Sequence, residues 1–106
     1  PLIILSGIAR GIDAEAHLGA LNAGLPTIAI LGGGFDRFYP ESNLELGHKI
    51  LESGGLWISE FPPDTDPKPY FFLQRNRLLA SFSSGTWIVE AGGKSGTLST
   101  ADFAFE

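Results

Sequence analysis

Four short runs dense in Ile, Leu, Val and Trp constrain this chain most: LIIL (2 to 5), TIAIL (27 to 31), LWIS (56 to 59) and TWIVEA (86 to 91). None alternates apolar with polar residues, so each is expected to be a strand buried on both faces, as in a parallel sheet. Segments of helical spacing separate them. Asp13 to Ala23 sets Ala16, Leu18, Ala20, Leu21 and Ala23 on an apolar stripe, with Gly24 as the stop. Ser42 to Ser53 opens on a capping-box pattern, Ser42 with Glu45, and Gly54-Gly55 closes it. A third helix is expected over Phe71 to Phe82 and a fourth from Thr97 onward. Four alternations of strand and helix specify an α/β protein with right-handed crossovers.

The 106 residues, 43% of them hydrophobic, suit one globular domain spanning 1 to 106. Both ends look cut, because the chain starts on a strand and stops at FAFE without a capping residue. The expectation is a partial domain from a larger open sheet. With no cysteine, a disulfide scaffold and cysteine-ligated zinc are excluded. No apolar run has the length of a signal peptide or membrane span, so a soluble, intracellular protein is expected. The net charge of -5 argues against indiscriminate nucleic-acid binding, and any anion site must be local.

Ligands of open α/β sheets bind outside the carboxyl ends of the strands. The loops there are SGIARGID (6 to 13), GGGFDRFYPES (32 to 42), FPPDTDPKPY (61 to 70) and GGKSGT (92 to 97). Three are rich in glycine, which lets backbone N–H groups approach a phosphate at a helix N-terminus. The proline loop, with four of the seven prolines, reads as a stiff connection. Arg10, Arg37, Lys68 and Lys94 fall in these loops, Arg75 and Arg77 lie early in the third helix, and Lys49 sits in a helix body. Asp13, Asp36 and Glu90 stand close by, so an ion pair remains the alternative to ligand contact. Phe35, Phe38, Tyr39, Tyr70, Phe71 and Phe72 cluster on the same side and could stack on unpaired bases. One or two at most are expected to reach solvent.

Several chemistries fail on spacing. GGKS lacks the glycine that a Walker A loop needs five residues before its second glycine, where Ile88 stands. G-x-G-x-x-G is absent, which disfavours a nicotinamide cofactor. His17 and Asp13, four apart, read as a helix-surface ion pair rather than a metal site. Ser6 and Ser95 have no neighbouring base to make a nucleophile. No cofactor and no metal are expected.

SGIARGIDAEAH (6 to 17), LGGGFDRFYPESN (31 to 43), ISEFPP (58 to 63), FLQRNRLLASFS (72 to 83) and VEAGGKSGTLSTA (89 to 101) together resemble the core of the DNA-processing protein A (Smf) family. The likeness runs through nearly the whole chain in the same order. It implies a Rossmann-like three-layer open sheet, mostly parallel, in a bacterial cytoplasmic protein. It further implies single-stranded DNA binding, loading of the RecA recombinase in natural transformation, a homodimer in the full-length protein, and no catalytic role. By the same resemblance Ser6, Gly7, Arg10 and Gly11 of the first loop, Gly32, Gly33 and Gly34 of the second, and Lys94, Ser95, Gly96 and Thr97 of the last would bind DNA phosphates. Arg75, Asn76 and Arg77 form a motif shared with the family. Arginines two apart on a helix point to different sides, so one is expected to hold a neighbouring loop while the other meets the ligand. Ser84 stands where the family usually has aspartate.

An enzyme is the rival reading. Gly96-Thr97 also resembles the loop of the nucleoside-monophosphate phosphoribohydrolases (the "lonely guy" family), which share this architecture. There two acidic residues follow, and here Ser99-Thr100 occupy their places. Cleaving an N-glycosidic bond needs a carboxylate near the ribose, so this reading is disfavoured.

Overall fold

The computed structural model describes residues 3 to 83 and Gly85. Strands β1 (Ile4–Ser6), β2 (Thr27–Ile30) and β3 (Leu56–Ile58) pair in parallel in the order β1-β2-β3. Helix α1 (Ile12–Asn22) joins the first two and α2 (Leu44–Glu52) the next two, while α3 (Pro69–Phe82) follows β3. This is the α/β, parallel, Rossmann-like arrangement expected. The fourth strand and fourth helix lie outside the described residues. Ile4 sits opposite Thr27 and Ile28 opposite Leu56, so β2 is the central strand.

Because side chains alternate along a strand, Thr27, Ala29 and Leu31 share one face. Ala29 and Leu31 join Ile8, Leu46 and Ile50 in the buried core, against Ala14, Leu18, Leu21, Phe38 and Trp57. Burial on both faces holds best for β2; Leu56 on β3 is 55% exposed. Its partner Ile28 points away from α1 and α2, and that side is covered less completely at this level.

Both helix stops fall where the glycines placed them. Gly24 (φ +70°) and Gly54 (φ +91°) adopt the left-handed conformation that ends α1 and α2 and returns their N–H groups to the last turn. The start of α2 differs from the capping box. A 3-10 turn over Glu41–Asn43 precedes Leu44, and no side chain among the described residues caps the helix. Ser42 instead accepts a hydrogen bond from Arg10 Nε (3.3 Å), and Asn43 Nδ2 donates to the Ile8 carbonyl (2.9 Å). These tertiary partners displace the local cap.

His17 also departs from expectation. It is fully buried, with Nδ1 2.7 Å from Thr27 Oγ1. The Thr27 hydroxyl donates to the Ile4 carbonyl (2.9 Å), so its oxygen accepts from an Nδ1–H tautomer. The Nε2 atom has no partner among the described residues. Burial lowers the His17 pKa to about 4, with the Asp13 charge working the other way. A depressed histidine pKa means that the unfolded chain binds the proton more readily. Stability is therefore full above the unfolded value of 6.5 and is lost as pH falls toward 4. From pH 7 to pH 5 this group is expected to cost about 2 kcal/mol. Urea unfolding across that range should show the loss, and His17→Gln should flatten it. An equal slope in both proteins would contradict the assignment.

No helix among the described residues is long and apolar enough to cross a membrane, and no three metal-ligating side chains come together there.

Candidate functional site

The loops leaving β1 and β2 and the start of α3 meet at the carboxyl edge of the sheet. Ile8, fully buried, holds a φ of +56°, which is unusual for a β-branched residue and costs on the order of 1 to 3 kcal/mol. Asn43 fixes its carbonyl, and the Ala9 N–H reaches Asp13 Oδ2 (3.3 Å). These contacts position Arg10 and Gly11 on the exposed side of the loop, with Gly11 at the N-cap of α1.

Arg75 comes from the opposite direction. It is 6% exposed, and its Nη1 donates to the Gly7 and Ile30 carbonyls, each at 3.0 Å. Its Nε donates to Asn76 Oδ1 (3.1 Å), and the Phe72 ring lies 5.6 Å from its guanidinium carbon. Burial draws its pKa below the ordinary arginine value, with Asp13 opposing that shift. Arg75 therefore ties the ends of β1 and β2 together from beneath. A side chain on Gly7 would collide with this guanidinium, and one on Gly32 would enter the Phe72 ring.

The second loop is roofed rather than open. Gly32, Gly33 and Gly34 are all buried. The Gly34 N–H donates to the Thr65 carbonyl (2.9 Å), Ser59 Oγ donates to the Gly33 carbonyl (2.7 Å), and the Asp36 N–H donates to Pro63 (2.9 Å). A Cβ on Gly33 would press on Pro67 and Thr65, and one on Gly34 would strike the Pro62 and Pro63 carbonyls. The proline loop thus packs closely over Gly33 and Gly34, and the Phe72 ring over Gly32.

Among the described residues three cations are held by carboxylates: Arg37 by Asp66 (3.1 Å), Lys49 by Glu45 (4.0 Å) and Arg77 by Glu60. The expectation that one arginine of the pair holds a loop and the other meets a ligand thus finds both engaged: Arg75 on backbone carbonyls, Arg77 on Glu60. Among the described residues Arg10 and Lys68 are exposed cations with no carboxylate within 4.0 Å. Each approaches an aromatic ring instead. The Arg10 guanidinium carbon lies 5.9 Å from the Tyr39 centroid and Lys68 Nζ 5.9 Å from that of Phe71. The rings continue inward, Tyr39 to Phe72 at 5.5 Å and Phe71 to Phe61 at 4.4 Å.

More aromatic surface reaches solvent than expected. Phe35, Tyr39 and Tyr70 are 42%, 46% and 70% exposed. Phe35 and Tyr39 sit on the second loop and Tyr70 at the start of α3. Of the other expected site residues, Ser6 and Asn76 are buried, and Lys94, Ser95, Gly96 and Thr97 lie outside the described residues. Lys68 and Tyr39 join Arg10 on this edge although neither belonged to the expected phosphate set. The available signal for Lys68 was KPYF, a cation directly before a helix-starting proline and two rings.

The whole sequence, residues 1 to 106, matches the family described as DNA recombination-mediator protein A. It is 45% identical over 103 residues to protein Smf of Escherichia coli, covering 97% of this chain and 28% of that protein. To the DNA processing protein DprA of Streptococcus pneumoniae it is 41% identical over 105 residues, covering 99% and 37%. The fold superposes on the X-ray structure of the pneumococcal protein with a TM-score of 0.89 at 40% identity, over 98% of this chain and 36% of that one. DNA processing protein A of Helicobacter pylori, whose structure addresses its mode of single-stranded DNA binding, gives 0.86 at 36% identity, over 96% and 46%. The chain spans about a third of the length of these curated relatives.

Proposed function

This chain belongs to the DNA recombination-mediator protein A family, and from that premise we propose that it holds single-stranded DNA along the carboxyl edge of its sheet. The observation that carries the reading is the pairing of Arg10 with Tyr39 and of Lys68 with Phe71. A cation without a carboxylate can meet a phosphodiester, and a ring beside it can meet an unpaired base. On a chain of net charge -5, such contacts favour a local, shape-limited site over general attraction to DNA. The single-stranded DNA binding of the Helicobacter pylori relative supports the same choice of ligand.

The proposal extends to a DNA-processing role in the bacterial cytoplasm that includes loading of the RecA recombinase during natural transformation, by a homodimer of the full-length protein. It rests there on family membership. The protein acts by binding rather than catalysis, since Ser99-Thr100 offer no carboxylate where a phosphoribohydrolase would need one. The test is binding of a fluorescent oligodeoxythymidine, with duplex DNA and AMP as competitors. Binding that resists duplex and ignores AMP is expected. Equal competition by duplex, release of adenine from AMP, or no binding would each contradict the reading.

A further inference from the structure

Tyr39 is only loosely explained as packing. It leaves 46% of its surface in water, although one side of its ring is braced by Phe72 at 5.5 Å, tilted by 49°. Phe72 is itself wedged under Gly32 and beside Arg75, so the brace is anchored in the buried tie between β1 and β2. The ring is followed by the buried Pro40 and the 3-10 turn that carries Ser42. Ser42 in turn holds Arg10, whose guanidinium carbon stands 5.9 Å from the Tyr39 centroid. A braced ring that is nearly half exposed loses little freedom on binding, and the cation over it is free of carboxylates among the described residues.

Building on the single-strand reading, we propose that Tyr39 is a base-stacking platform that lets this edge distinguish unpaired from paired DNA, with Arg10 holding the adjoining phosphate. The faces of bases inside a duplex are already stacked on their neighbours, so a duplex can satisfy Arg10 but not Tyr39. Every base has a face to offer, so the platform selects strandedness rather than sequence. Ser42 sets the direction of Arg10 and thereby the distance between phosphate and base.

The experiment compares an oligodeoxythymidine with the same oligomer made abasic, on the wild-type protein and on Tyr39→Leu and Tyr39→Phe. The ratio of intact to abasic affinity is expected to fall at least about fivefold in Tyr39→Leu and to stay within about twofold of wild type in Tyr39→Phe, which keeps the ring. Affinity for duplex should be unchanged in both. A crosslink from 5-iododeoxyuridine in the wild-type complex should map to Tyr39, a readout independent of how well the leucine variant folds. An unchanged ratio in a folded Tyr39→Leu protein, or crosslinks on other aromatic residues with none on Tyr39, would overturn this assignment while leaving single-strand binding intact. Absence of binding by the wild-type protein would overturn both.

Discussion

Replacing Arg75 with alanine is expected to lower the free energy of unfolding by about 3 to 5 kcal/mol, read by urea denaturation. Two buried carbonyls, those of Gly7 and Ile30, would lose their donor. Each orphaned acceptor costs about 1 to 3 kcal/mol, and the vacated space beside Phe72 adds a cavity. Against this, the fold would no longer bury a guanidinium that has no carboxylate within 4.0 Å among the described residues, a relief that offsets part of the loss. The orphaned carbonyls and the cavity outweigh it, because the charge is already solvated by backbone oxygen atoms and a ring. Any loss of DNA affinity in this variant should follow its loss of fold. A stable Arg75→Ala protein, destabilised by less than about 1 kcal/mol, would show that the tie between β1 and β2 matters little.

Changing both Arg10 and Lys68 to glutamine should act in the opposite way, on affinity and not on stability. Both residues are exposed and neither holds a carboxylate among the described residues. Unfolding should shift by less than about 0.5 kcal/mol. Charge-assisted contacts are worth about 1.5 to 3 kcal/mol each, and exposure to solvent reduces that, so the pair is expected to contribute about 2 to 4 kcal/mol. Affinity for single-stranded DNA should then fall by roughly thirty- to a thousandfold. A fall of less than about threefold would remove this edge from the binding surface.

Much of the fold was legible because its signals are local. Unbroken apolar runs marked the strands, and Gly24 and Gly54 marked helix ends, since a left-handed residue is needed wherever a helix stops that way. The misreadings share one cause, a partner distant in sequence. Asp13 and His17 carry the spacing of a surface ion pair, and only Thr27 on the neighbouring strand shows that His17 faces inward. Ser42 and Glu45 have the pattern of a cap, yet Arg10, 32 residues away, takes the serine.

The candidate site divides along the same line. Sequence placed Arg10 at the carboxyl edge of the sheet, where the structure has it, because loops after parallel strands gather there. It could not separate the cations that carboxylates hold from those left available. Arg37 and Arg77 are paired across 29 and 17 residues respectively. The arginine pair that stands out in an acidic sequence is therefore occupied, one member on backbone and one on Glu60. The quieter Lys68 is available.

The most direct test of the central claim is the salt dependence of oligodeoxythymidine binding by the wild-type protein, Arg10→Gln and Lys68→Gln. Each phosphate contact on a single strand contributes about 0.7 to the slope of log K against log salt. If the edge binds DNA as described, each variant should lose about that much slope together with its affinity. Slopes that match the wild type in both variants would mean that neither cation meets a phosphate, and the site would have to be sought elsewhere in the protein.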